Sequence, residues 1–291
     1  VIFVNRLLND VTFLLDDALE KLVELHGKQV ELESASYESK TPQEKSEFEG
    51  HLRSLEGQIK NMLEFGNEFL ERLIDFTGQE GRTKDAFMQS EIVGRLTSML
   101  DFNLDLLAGP KCQELKVKDP KKVGFQPREL LKKIMKVYLN LAKRDEFVRA
   151  IAADGRSYRK ETFEKAVRIA NRFMLYGGPE LDVITAMVKN VERVRIEEAE
   201  EEEDLGEVPD EYLDPLMATL MTDPVLLPSS KAIVDMSTIK SHLLSDATDP
   251  FNRVPLKIQD VIPATELKAA IEAFRIEKKQ ARKDANAMKV V

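Results

Sequence analysis

"MTDPVLLPSSKAIVDMSTIKSHLLSDATDPFNRVPL", residues 221–256, is the stretch on which the fold turns. Two Asp-Pro steps bracket it. Between them lie a short apolar run, a Pro-Ser-Ser turn, a second apolar run and one brief helical stretch. Val225–Leu227 and Ala232–Val234 flank the turn "PSSK", the pattern of a β-hairpin. Ser237 is placed to cap the helix "TIKSHLL", because its side-chain oxygen can accept from a backbone N–H that has no intrahelical partner. "DPFNRVP" reads as an exposed loop and "LKIQDVI" as a brief extended run. Leu267, Ile271 and Phe274 line one face of a last helix. A unit of about 70 residues has little core, and such units are usually held by zinc or disulfides. This stretch has no cysteine.

The rest of the chain offers no metal staple either. One cysteine, Cys112, and three histidines, His26, His51 and His242, are all that 291 residues contain. A two-zinc finger needs about eight such ligands, four per metal. A two-zinc finger and an internal disulfide are both excluded, and no cofactor is expected. A lone cysteine suits a reducing compartment, and the expected location is cytoplasmic and nuclear. With 43% hydrophobic residues the chain is globular. No run approaches the ~20 apolar residues of a membrane span, so no membrane partner is expected. A net charge of −9 argues against nucleic acid, which calls for a basic surface. The charge is uneven: residues 197–211 hold ten acids and no base, and basic residues gather after Arg275. The chain opens on Val1, in what reads as the middle of a helix, and is expected to be part of something longer.

Upstream, residues 1–196 read as helices almost throughout. Val11, Leu15, Ala18, Leu22 and Leu25 step by four and three, which aligns one apolar face. Residues 46–76 repeat the pattern at length, and further helices are expected at about 86–107, 127–143, 145–153, 159–175 and 180–202. Pro110, Pro120 and Pro127 mark the breaks. Stacked antiparallel helices without a fixed repeat period satisfy this pattern, and no catalytic constellation appears among them.

Four stretches, "DEYLDPLMATLMTDPV", "PSSKAIVDMSTIKSHL", "TDPFNRVPL" and "PATELKAAIEAF", carry a resemblance over 209–276. This region resembles a U-box, the RING-shaped domain of a class of ubiquitin ligases in which hydrogen bonds replace zinc. "YLDPLMATLMTDPV", "HLLSDATDPFNR" and the N-terminal "VNRLLNDVTFLLDDALEKLVELH" look like one branch, the ubiquitin-chain-elongation factors, whose U-box follows a long helical core. The implied fold is mainly α: an armadillo- or HEAT-like helical solenoid followed by a small α+β U-box. Residues 1–196 form the helical core, 197–208 an acidic hinge kept extended by its charge, 209–276 the U-box and 277–291 a basic tail.

The resemblance implies that Ser229, Ser230, Asp235, Asp249 and Asn252, with Asp223 at the mouth of the first loop, form the polar network that stands in for metal. It also implies an activity: a ubiquitin-protein ligase that elongates ubiquitin chains. Ubiquitin arrives as a thioester on a conjugating enzyme and a lysine attacks it, so the ligase needs no nucleophile. Cys112 accordingly reads as a free structural thiol. Contacts to the conjugating enzyme fall on Leu216 and Met217, on Pro250, Phe251, Asn252, Arg253 and Pro255, and on His242, which reads equally well as a half-exposed helix residue. Arg253 matches the arginine that orients the loaded thioester, since its planar fork of donors can touch conjugating enzyme and ubiquitin together. That is catalysis by orientation, without proton transfer. Many U-boxes carry an aromatic residue where this chain has Ala218, which lowers docking energy by about 1–2 kcal/mol of apolar burial. The implied partners are a ubiquitin-conjugating enzyme, ubiquitin or a ubiquitinated substrate, and, at the C-terminal region, a ubiquitin-selective AAA ATPase. The rival reading is a helical-repeat adaptor whose U-box only binds protein. Leu216, Pro250 and Arg253, which serve partners and not the fold, speak against it.

Overall fold

Local chemistry sets the helix boundaries. In this computed structural model, which describes residues 2–243 and 246–289 without the side chains of residues 2, 200–204, 279 and 282–289, the chain divides into two units, Val1–Arg193 and Val194–Val291. In the first unit, α1 (Ile2–Glu31) buries the whole stripe Val11, Leu15, Ala18, Leu22 and Leu25. After the single turn α2 (Ala35–Glu38), α3 (Pro42–Gly78) opens on a capping box. Glu44 N–H donates to Thr41 Oγ1 at 3.3 Å, and Thr41 N–H donates to Glu44 Oε2 at 2.7 Å. Pro42 occupies the first turn, where no N–H is needed. α3 packs along α1 so closely that a Cβ on Gly66 would stand 3.0 Å from Leu15 Cδ2.

α4 (Arg82–Phe87) and α5 (Ser90–Ala108) divide the helix expected at 86–107. α5 is the central helix of the unit. It touches α1, α6 (Pro127–Leu141), α7 (Asp145–Ala153) and α8 (Lys160–Arg172), and is buried from Ile92 to Ala108 on more than one face. Even Asp101 is inside, accepting from Tyr138 Oη at 2.5 Å. Burial pushes its carboxyl well above the usual range; the tyrosine hydrogen bond opposes this and the nearby Asp154 adds to it. The unit is thus a stack of helices of uneven length, in keeping with the expected helical core.

α9 (Gly178–Leu205) passes from the first unit into the second. The stretch expected as an extended hinge, 197–208, is helical as far as Leu205, because glutamate is a good helix former and its propensity prevails over like-charge repulsion. The helix ends at Gly206, whose left-handed φ of +61° favours glycine because it has no Cβ. In the second unit β1 (Pro224–Leu226) pairs antiparallel with β2 (Ile233–Asp235) and with β3 (Ile262–Pro263), giving the order β2-β1-β3. The helices α10 (Met236–Leu243) and α11 (Thr265–Lys289) complete it. α10 begins two residues before the sequence reading placed it, at Met236 where Thr238 was expected. Asp235 does the capping expected of Ser237: its Oδ1 accepts from Ser237 N–H at 2.9 Å and from Ser237 Oγ at 2.6 Å. The core is small, built on Val225, Leu227, Val234, Ile239 and Leu256. At about 1.5–3 kcal/mol per buried side chain, such a core leaves much of the task of fixing the loops to polar groups. Much of the expected basic tail, at 279 and 282–291, lies outside the residues whose side chains are described.

Candidate functional site

Two loops of the second unit are built to one plan. In the first, Asp214-Pro215-Leu216-Met217-Ala218-Thr219, Asp214 N–H donates to the Thr219 carbonyl at 2.8 Å and Ala218 N–H donates to the Asp214 carbonyl at 2.7 Å. In the second, Asp249-Pro250-Phe251-Asn252-Arg253-Val254, the matching bonds run from Asp249 N–H to Val254 O at 2.8 Å and from Arg253 N–H to Asp249 O at 2.8 Å. Each aspartate side chain then accepts from the N–H two residues on, Leu216 at 2.7 Å and Phe251 at 2.9 Å. The fifth residue is left-handed in both, Ala218 at φ +54° and Arg253 at φ +62°. Each loop is pinched by a bridge, Leu213 with Leu220 and Thr248 with Pro255. Behind each, one apolar residue enters the interior, Met221 and Leu256. Proline fits after the aspartate because its fixed φ starts the turn and it needs no acceptor.

Buried carboxylates tie these loops to the sheet. Asp214 Oδ2 accepts from Asp235 N–H of β2 at 2.7 Å. Asp235 Oδ2 in turn accepts from the N–H groups of Thr222 at 2.6 Å and Asp223 at 2.9 Å. Burial raises the Asp235 carboxyl, but the hydrogen bonds from Asp223, Ser237 and Thr222 outweigh it and hold the group down at about 2. At the other end of the hairpin, Asp249 Oδ2 accepts from Ser229 Oγ at 2.9 Å and from Ser230 N–H at 3.2 Å. Asn252 Nδ2 donates to Ser229 Oγ at 2.8 Å, closing the group. Burial again opposes ionisation of Asp249, and hydrogen bonds from Phe251, Ser230 and Ser229 lower its pKa in spite of it. Asp214 and Asp249 are fully buried, and with both oxygens of each engaged neither leaves the orphaned acceptor that costs roughly 1–3 kcal/mol.

Of the residues expected to form one polar network, Ser229, Ser230, Asp249 and Asn252 are joined by hydrogen bonds at one end of the hairpin, and Asp235 belongs to a separate group at the other. Asp223 joins that second group through its backbone N–H, while its carboxylate meets Lys268 Nζ at 2.8 Å, half in solvent. Sequence reasoning missed Asp214. The signal was present, because "DPLMAT" and "DPFNRV" repeat Asp-Pro-apolar at the same offsets.

Both loops carry exposed apolar side chains. Leu216 is 42% exposed, Met217 61%, Phe251 44% and Val254 45%. Arg253, Asn252 and Pro255 are exposed and Pro250 half-buried. His242 is half-buried, and its Nε2 donates to the Thr248 carbonyl at 2.9 Å, which ties α10 to the second loop. A carbonyl only accepts, so Nε2 carries the proton. Cys112 belongs to the other unit, with Lys165 Nζ 3.4 Å from its sulfur. The site thus offers rigidly held apolar side chains and one arginine fork, which suits docking and orientation of a protein surface.

Comparison with known proteins agrees with this division. Residues 1–192 match the family described as ubiquitin elongating factor core, and residues 208–280 match the U-box domain. The chain is 47% identical over 94% of its length to the ubiquitin conjugation factor E4 of Schizosaccharomyces pombe, covering 27% of that protein. It is 45% identical over 97% of its length to the E4 ubiquitin-protein ligase UFD2 of Saccharomyces cerevisiae, covering 29% of it. A probable ubiquitin conjugation factor E4 of Arabidopsis thaliana is 38% identical over 94% of the chain, which covers 26% of that protein. The chain spans little more than a quarter of the length of these curated relatives.

Proposed function

Because this chain belongs to the ubiquitin elongating factor family and carries that family's core followed by a U-box, we propose that it is a ubiquitin-protein ligase that elongates ubiquitin chains. Leu216, Met217, Pro250 and Phe251 dock a ubiquitin-loaded conjugating enzyme, with Asn252, Pro255 and His242 at the margin. Arg253 then bridges the conjugating enzyme and its ubiquitin, so that the thioester is held for attack by a substrate lysine. No covalent intermediate forms on the ligase. The lysine nitrogen attacks the thioester carbonyl, the conjugating enzyme's thiolate leaves, and the isopeptide bond forms. Freezing a mobile donor into attack geometry supplies the acceleration.

The observation that carries this reading is the position of Arg253. It sits at φ +62°, where glycine or asparagine is less strained, and its side chain is exposed. Among the described residues its guanidinium makes no hydrogen bond or ion pair, so the fold does not call for an arginine there. A surface partner does, because the loop backbone fixes the direction in which the side chain leaves it.

The helical unit then presents substrate or a growing ubiquitin chain to the U-box. A ubiquitin-selective AAA ATPase is a further partner, with the basic C-terminal region as its contact. Cytoplasmic and nuclear residence is supported by the single cysteine, as suits a reducing compartment. The test is discharge of ubiquitin from loaded conjugating enzymes to free lysine, across a panel. Acceleration by at least one enzyme, lost together with binding in Leu216→Ala, is expected. If no enzyme in the panel responds and Leu216→Ala behaves as the parent does, the adaptor reading replaces this one.

A further inference from the structure

We infer that the corner formed by Arg128, Arg172, Phe173 and Met174 on the helical unit is a docking site for an acidic protein segment carrying an apolar side chain. Phe173 follows α8 directly. Its ring centre lies 3.7 Å from the Arg128 guanidinium carbon and 5.6 Å from that of Arg172. Two cations are thereby gathered on one phenyl ring, and neither forms an ion pair among the described residues. Two acids lie near this loop, where Glu180 and Glu129 add to the effect of burial in raising the Tyr176 pKa; Glu180 is engaged by Gly177 N–H at 3.0 Å, and neither acid pairs with Arg128 or Arg172 among the described residues. The loop that presents Phe173 and Met174 is tied down where Tyr176 Oη donates to the Lys132 carbonyl of α6 at 2.6 Å. Lys132 is exposed one helical turn from Arg128 and adds a third cation to that face.

Two of these residues stand where local structure favours another type. Arg128 is the second residue of α6, at the helix end whose dipole attracts anions and opposes a cation. Met174 adopts φ +51° in the turn that closes α8. There Leu175 N–H reaches back to the Ala170 carbonyl at 2.9 Å, and Met174 N–H reaches the Asn171 carbonyl at 3.1 Å. Glycine is favoured at such a position because it has no Cβ. Met174 is 88% exposed, so packing does not compensate. Met174 departs from local preference with no packing in return, and Arg128 keeps only its stack on Phe173; together they point to a partner outside the fold.

The chemistry defines that partner. Guanidinium forks accept carboxylates in pairs, and a flexible thioether adapts to an apolar side chain. On a chain of net charge −9, this corner is where an acidic segment meets attraction. The inference concerns the helical unit and stands apart from the ligase reading, because discharge of ubiquitin to free lysine need not change in any variant below.

The test uses the whole chain and a fluorescein-labelled peptide of glutamates and aspartates around one central leucine. Saturable binding that weakens with added salt is expected. The double change Arg128→Gln with Arg172→Gln should weaken it by about ten-fold or more. Met174→Gly should weaken it several-fold and also raise the melting midpoint of the helical unit by about 1–3 °C, since the left-handed residue then lacks a Cβ. Absence of saturable binding, or equal binding by the arginine double variant, would overturn the proposal. So would a lower midpoint for Met174→Gly, by showing that Met174 serves the fold. Tighter binding of an RNA oligonucleotide or a phosphopeptide than of the acidic peptide would overturn the choice of occupant.

Discussion

In the first Asp-Pro loop the Asp214 carboxylate is held by three backbone N–H groups, those of Leu216, Met217 and Asp235. In the second, the Asp249 carboxylate is shared between the N–H groups of Phe251 and Ser230 and the hydroxyl of Ser229. The backbones are alike, yet their tolerance differs. A peptide N–H can only donate, whereas a hydroxyl can turn and accept. The first loop is therefore fixed to the sheet without alternatives, and the second is held by a latch that can rearrange. The left-handed corner of the fixed loop carries the small Ala218; that of the latched loop carries Arg253, the residue we assign to orientation.

The sharpest way to break the comparison is to exchange each carboxylate for its isosteric amide. Asp214→Asn forces an NH2 group against at least one N–H that cannot reverse, and should destabilise the small unit by about 3 kcal/mol. Asp249→Asn should cost about 1–2 kcal/mol, because Ser229 can reverse its hydroxyl and only the Ser230 N–H is left wanting. Chemical denaturation of the two variants decides this, and equal losses would end the distinction. Next, Ser229→Ala should cost about 1 kcal/mol and act locally. Hydrogen exchange should quicken at Arg253 and Val254 while Leu216 and Met217 keep the rates of the parent.

Acid sharpens the contrast between the units. Asp235, held at about 2, and Asp249 are both depressed in the folded chain. As pH falls, the unfolded chain binds protons first. The stability these groups give is thus full above about pH 4 and is lost on the way down to pH 2. In the helical unit Asp16 is raised to about 6, by burial first, against the hydrogen bond from Asn103. There the folded chain binds the proton first, so stability rises as pH falls from 7 toward 4. Melting followed separately in the two units between pH 7 and pH 5 should show a gain in the helical unit and little change in the U-box. The smallest effect is expected at Lys268→Ala. Its 2.8 Å pair with Asp223 has side chains 45% and 49% exposed, so solvent screens it and the denaturation midpoint should barely move.

Much of this molecule could be read before its structure was in hand, and the failures have physical causes. The stripe from Val11 to Leu25 announced its helix because burial follows the helical period. Ser229, Asp235, Asp249 and Asn252 were legible because the family resemblance aligned them. Asp214 was not, since an aspartate before proline is read as a surface turn, and only the β2 backbone beside it makes it a buried acceptor. The capping of α10 was assigned to Ser237 and belongs to Asp235, two residues earlier on the same turn. At 197–205, charge density suggested an extended hinge where glutamate's helix propensity governs. The tie from His242 to Thr248 spans six residues that include a helix end, and no local pattern encodes it.

Arg253→Gly tests the central claim most directly, because glycine relieves the left-handed backbone while removing the guanidinium. Single-turnover lysine discharge and conjugating-enzyme affinity would be measured on the same protein. The account predicts a melting midpoint at or above the parent's, an affinity within about three-fold of it, and a discharge rate lower by about ten-fold or more. A discharge rate equal to the parent's, or a loss of rate matched by an equal loss of affinity, would contradict it.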